Sequence, residues 1–155
     1  MYASGDLVAR LESVRRELDP VQFGLIPAHV TLCREDELAA LPDDELGRRI
    51  AGAPSLALEF GLPEAFSGHG ILLPCVRGEA TFHALRRRVL GGEPARHPQP
   101  HLTLAHPRNP RAPGNSLAVA LALPDVISLT FLSVHRIVQH GSGPWAIERT
   151  FLLAP

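Results

Sequence analysis

Pro27-Ala28-His29-Val30-Thr31-Leu32 returns later in the chain as Pro100-His101-Leu102-Thr103-Leu104. Both stretches set out a histidine, an apolar residue, a threonine and a leucine in that order. Such alternation predicts a β-strand, in which residues two apart share a face. His29 and Thr31 then point one way while Val30 and Leu32 enter the core, and His101 and Thr103 do the same opposite Leu102 and Leu104. Each strand offers an imidazole and a hydroxyl side by side on the face turned from its apolar residues. Packing does not require that arrangement. At ordinary residue usage, two such tetrapeptides among the 8 histidines arise by chance in about one chain in ten thousand.

The elements around the two stretches are mixed. Leu7, Leu11, Val14 and Leu18 recur at helical spacing over Asp6 to Leu18, and Asp19-Pro20 stops that helix. Phe23 to Cys33 is an apolar run with β-branched members. Pro27 delays regular pairing in it, so the strand is expected from about Ala28. Pro42, Asp43 and Asp44 start a short helix with Leu46 and Ile50 on its buried face and Gly52 at its stop. Ser55 to Phe60 and Gly70 to Val76 are expected as a hairpin across a stretch containing Gly61, Pro63 and Gly68. Glu79 to Leu90 carries Phe82, Leu85 and Val89 on one face and ends at Gly91-Gly92. After a proline-rich loop come the strand Leu102 to Ala105, a second loop, a short helix near Ser116 to Ala122, and strands around Val126 to Val138 and Trp145 to Leu153. The order predicts an α+β fold in one domain spanning residues 1–155.

Composition narrows the partners. A chain of 155 residues, 45% hydrophobic, can bury a core without metal or disulfide staples. The 15 basic residues are all arginine and face 16 acidic ones, so there is no general basic field for a long nucleic-acid duplex. A terminal or small phosphate needs only a few local arginines. Cys33 and Cys75 are isolated, as expected of a reduced cytoplasmic protein. No apolar run approaches the roughly 18 residues of a membrane span, and no membrane association is expected.

Two imidazoles facing one phosphate suit in-line displacement at phosphorus. Such a reaction needs a base on the attacking oxygen, an acid on the leaving oxygen, and donors for the phosphoryl charge. Histidine fills either proton role near neutral pH. The threonine hydroxyls can donate to the non-bridging oxygens. No metal or other cofactor is then required.

At these residues the sequence resembles the 2H phosphoesterase superfamily, which includes the 2′-5′ RNA ligase-like proteins and RNA 2′,3′-cyclic phosphodiesterases and whose signature is a pair of His-x-Thr/Ser motifs. The resemblance covers most of the chain. It implies two pseudo-symmetric lobes, each an antiparallel sheet flanked by helices, with one motif from each lobe at a central cleft. His29 and His101 are implied as catalytic, and Thr31 and Thr103 as substrate-binding. The chain departs from the family at two places: only Met1 to Ser4 stand where a first strand is usual, and His106 occupies the place of the arginine in Thr-Leu-x-Arg, with Arg108 two residues on. His106 and Arg108 are the candidates for phosphate grip there. The implied activity is phosphodiester hydrolysis at 2′,3′-cyclic RNA ends or a related small cyclic nucleotide, by a monomer. The competing reading is a non-catalytic nucleotide or RNA-end binder that uses the same cleft.

Other constellations have blander readings. His97, His101 and His106 cross a proline-rich loop and a strand, which is poor zinc-ligand spacing. Cys33 lies two residues after Thr31 and can share its face, but a buried structural thiol is expected rather than a nucleophile. Phe66 and Trp145 are candidates for stacking on a base, with core packing the default for Trp145. Arg86 to Arg88 reads as a solvated helix face.

Overall fold

The structure, a computed structural model, describes residues 1–2, 6–38, 41–109 and 116–155. Helix α1 (Asp6–Leu18) buries Leu11, Val14 and Leu18, as its periodicity requires. Asp19-Pro20 ends α1 and at once begins α2 (Pro20–Leu25), a helix absent from the sequence reading. Pro20 needs no amide partner at a helix start, and the Asp19 carboxylate accepts the free amide of Gln22. The signal that stops one helix therefore caps the next.

The expected strand from Ala28 is reduced to one antiparallel bridge, Tyr2 to His29. The reason lies in where the backbone groups of this segment go. Main-chain bonds join Met1 and Val30 in both directions, but three other groups of this segment are spent on side chains: Arg15 donates to Ile26 O, Glu12 accepts from Ala28 N, and Arg86 donates to Leu32 O. The two-residue period survives without the ladder. Ala28, Val30 and Leu32 are buried, His29 is partly buried and Thr31 is exposed. Of the stretch in the place of a first strand, Met1 and Tyr2 supply this bridge, and the rest lies outside the described residues.

Two short helices follow, α3 (Glu35–Leu38) and α4 (Asp43–Ile50), the latter burying Leu46 and Ile50. The expected pairing of the two strands forms, but the stretch read as their turn holds a third strand. Strands β1 (Leu56–Phe60) and β2 (Glu64–Phe66) both run antiparallel to β3 (Gly70–Arg77), and Ser67 and Gly68 turn the chain with positive φ of 47° and 83°. Helix α5 (Glu79–Leu90) closes on Gly91 in the left-handed conformation. β4 (His101–Ala105) pairs antiparallel with β3, setting Thr103 opposite Leu72 and His101 opposite Pro74.

After α6 (Leu117–Ala120), the run expected around Val126 to Val138 divides at Leu132 into β5 (Ile127–Phe131) and β6 (Ser133–Gln139). β5 joins β1 in the five-stranded sheet, whereas β6 pairs with β7 (Trp145–Leu152) in a separate two-stranded sheet. The fold is thus α+β, with antiparallel sheets flanked by helices. One apolar cluster draws on both sheets, from Met1 through Leu73 and Phe131 to Leu153. Among the described residues no helix is long and apolar enough to cross a membrane.

Arg86 to Arg88 is not uniformly a solvated face. Arg87 and Arg88 are exposed, but Arg86 is 1% exposed and binds Leu32 O, Glu37 and Arg96 O. Helical position puts Arg86 beside Leu85 and Val89 on the buried side, where Nη1 and Nη2 are paired while Nε is buried without a hydrogen-bond partner among the described residues.

Candidate active site

Each motif histidine is fixed by the same local bond. Nδ1 of His29 lies 2.9 Å from the Pro27 carbonyl, and Nδ1 of His101 lies 2.9 Å from the Gln99 carbonyl. A carbonyl only accepts, so both rings carry their proton on Nδ1 when neutral and present Nε2 as the basic nitrogen. Among the described residues neither Nε2 has a protein hydrogen bond.

The two imidazoles are within electrostatic reach of each other. Burial pushes the His29 pKa down to about 4, against the bond from Pro27 that favours charge, and the positive charges of the amino terminus, Arg15 and His101 lower it further. His29 is therefore neutral at pH 7 in the unliganded protein. Tyr2 stands edge-on to His29, ring centres 6.3 Å apart, and Phe66 is tilted against His101 at the same separation. Gly70 makes room for that phenyl ring, because a Cβ there would collide with it. Phe66 thus stands at the second motif, while Trp145 opens β7 opposite Gln139.

A mostly apolar crevice borders the first motif. Its polar points are Tyr2, His29, Thr31, Cys33, His135 and Arg136, and neither His101 nor Thr103 belongs to its lining. Cys33 faces it as a poor nucleophile: burial pushes its thiol pKa up to about 11, against the pull of the neighbouring Arg86. His135 also packs on Tyr2, ring centres 5.0 Å apart, and engages Ser133 and Thr150 through its two nitrogens.

His106 and Arg108 follow β4 in a loop held by Asp19. That carboxylate, fully buried, accepts from His106 N at 2.9 Å and from the Asn109 amide at 3.1 Å. The His106 ring in turn accepts from Arg108 N, and its pKa is lowered by burial and by the Arg108 charge, with Asp19 opposing. Arg108 is exposed.

His97 does not join His101 and His106. It is exposed, lies 3.6 Å from Glu93 and packs near His83. Among the described residues no group of three or more His, Cys, Asp or Glu side chains is placed to hold a metal ion.

The roles of two charged residues of α1, Glu12 and Arg15, and of Asp19 just beyond its end escaped the sequence reading. Glu12 and Arg15 reach both motif segments, and Asp19 holds the loop beyond the second. Their spacing, i, i+3 and i+7, puts them on one helical face among Leu11, Val14 and Leu18, and that interruption of an apolar stripe was a visible signal.

The family model of the 2′-5′ RNA ligase superfamily matches residues 4–143. The chain belongs to the 2′-5′ RNA ligase superfamily. This is the 2H phosphoesterase superfamily, so a phosphoesterase-type or ligase-type activity is supported in general. No curated protein matches the chain.

Proposed function

We propose that the chain is a metal-independent phosphodiesterase that opens a 2′,3′-cyclic phosphate, at an RNA end or in a small cyclic nucleotide, by acid-base catalysis from His29 and His101. The observation that supports the reading is the matched Nδ1 bond of the two rings, which makes Nε2 the basic nitrogen of each; in this reading both Nε2 atoms act on one phosphate. His29, neutral at pH 7, accepts a proton from water as its oxygen bonds to phosphorus. His101 donates a proton to the ribose oxygen as its bond to phosphorus breaks. The product is a phosphomonoester beside a free hydroxyl, and the histidines have exchanged protonation states, which solvent resets. Thr31 and Thr103 donate to the non-bridging oxygens, Arg108 offers positive charge at the edge of the site, and His106 offers a ring N–H there. The enzyme of this reading is a cytoplasmic monomer.

A screen of nucleoside 2′,3′-cyclic phosphates and cyclic-phosphate-ended oligonucleotides by phosphorus NMR tests it. Conversion of the cyclic resonance to a monoester resonance is expected. Binding without conversion across the whole set would replace the enzyme by a nucleotide or RNA-end binder.

A further inference from the structure

Arg15 is 1% exposed, and an arginine so buried costs more than a leucine of similar reach unless its donors are used. They are used unusually. Nη2 donates to Ile26 O at 2.8 Å, three residues before His29, and Nε to Thr103 O at 3.3 Å, two residues after His101. Nη1 is paired with Glu12 at 2.5 Å, and the second oxygen of Glu12 accepts the amide of Ala28, next to His29, at 2.5 Å. Apart from the bond within its own helix, the guanidinium binds only the two motif segments among the described residues.

No backbone ladder joins these segments among the described residues. β4 pairs with β3, and the first motif bridges only Tyr2. In a sheet, register between two strands is set by their shared hydrogen bonds. Here one planar fork with fixed donor angles stands in for the ladder.

We infer that Glu12 and Arg15 are a positioning pair, which sets the spacing of His29 relative to His101 by clasping the main chain of both segments. The inference rests on the proposed two-histidine reaction for its kinetic consequence, because misplacing a reacting group by about 1 Å costs on the order of 10²-fold in rate. The charges that act on His29 are the amino terminus, Arg15 from α1 and His101 from β4. Loss of Arg15 therefore has an electrostatic signature as well as a geometric one.

Arg15→Lys, Arg15→Met and Glu12→Gln separate the two. Lysine keeps the charge and loses the fork, so the folded variant should lose about 10- to 100-fold in kcat with KM little changed, while His29 still titrates near 4 by NMR. Arg15→Met should show the same loss with the His29 titration moved upward. Glu12→Gln keeps an acceptor for Ala28 N and breaks the ion pair, so it should lose part of the rate even if Arg15→Met does not fold. Folded Arg15→Lys and Glu12→Gln with kcat within about twofold of the parent would overturn the clasp. A failure of the underlying reading looks different: no turnover by the parent protein, or full activity in His29→Ala and His101→Ala. The NMR titration of His29 needs no turnover, and an unmoved titration in folded Arg15→Met would count against the pair in either case.

Discussion

His29 and His101 are held by the same bond, each ring donating Nδ1–H to the carbonyl two residues before it, 2.9 Å away in both. One histidine sits on a regular strand and the other on an extended segment with a single bridge, yet the local geometry matches. The matched bonds fix both tautomers and leave both Nε2 atoms for chemistry.

Replacing either histidine by alanine should lower kcat by about 10² to 10⁴. The double variant should lose far less than the product of the two, because a proton relay missing one member gains little from the other. Steady-state rates of the four proteins on one cyclic substrate give the comparison, and losses that multiply would mean that the histidines act independently.

The pH dependence of kcat/KM should have its acid limb near 4, well below the ordinary histidine range. Burial keeps His29 neutral, and a base must be neutral to work, so activity should persist down to that pH and fall below it. A rate that instead declines as pH rises above about 4 would make His29 the proton donor and reverse the two roles.

The same depressed pKa has a cost in stability. Between the ordinary histidine pKa of 6.5 and about 4, the unfolded chain binds a proton at this position that the folded protein does not. Stability from this residue is therefore fully present above pH 6.5 and is lost as pH falls through that window, by on the order of 3 kcal/mol at most. His29→Gln should remove this loss, leaving the inactive variant more stable than the parent at pH 4.5 and little changed at pH 7.5. Urea unfolding at both pH values measures it, and equal acid sensitivity in the two proteins would contradict the burial of His29.

Cys33→Ala should keep most activity. The thiol pKa of about 11 leaves little thiolate at neutral pH, and the two imidazoles complete the proton inventory. A loss as large as that of His29→Ala, with a covalent adduct on substrate in the mass spectrum, would point to a cysteine nucleophile instead.

Asp19→Ala should destabilise the protein by about 2 to 4 kcal/mol, because the amides of Gln22, His106 and Asn109 lose a buried acceptor together. Its second effect should be on KM, through the loosened loop that carries His106 and Arg108. Urea unfolding and substrate saturation curves separate the two, and an unchanged midpoint would mean that the carboxylate is dispensable.

Much of this was legible in the sequence where a local rule had no competitor. Asp6–Leu18 and Glu79–Leu90 match their periodicity end to end, and β1 pairs with β3 as expected, although the stretch read as their turn holds a further strand, β2. The alternation of His29 and Thr31 against Val30 and Leu32 gave the correct faces. It could not reveal that the first motif lacks a ladder, since that depends on Glu12, Arg15 and Arg86 arriving from two helices to take its backbone groups. Leu132, where one apolar run divides between two sheets, carries no turn residue to mark the break. At the site, residue types announced the histidines and threonines, whereas the neighbours of His29, Tyr2 at its edge and Arg15 among the charges that act on it, are set by tertiary contact alone.

The most direct test of the central claim is turnover of a 2′,3′-cyclic nucleotide after exhaustive chelation. A mechanism run by His29 and His101 keeps its full rate in EDTA, gains nothing from added zinc or manganese, and disappears in His29→Ala and His101→Ala. An enzyme that dies in EDTA and revives with a divalent metal would contradict it, and the two histidines would then have to be reread as metal ligands.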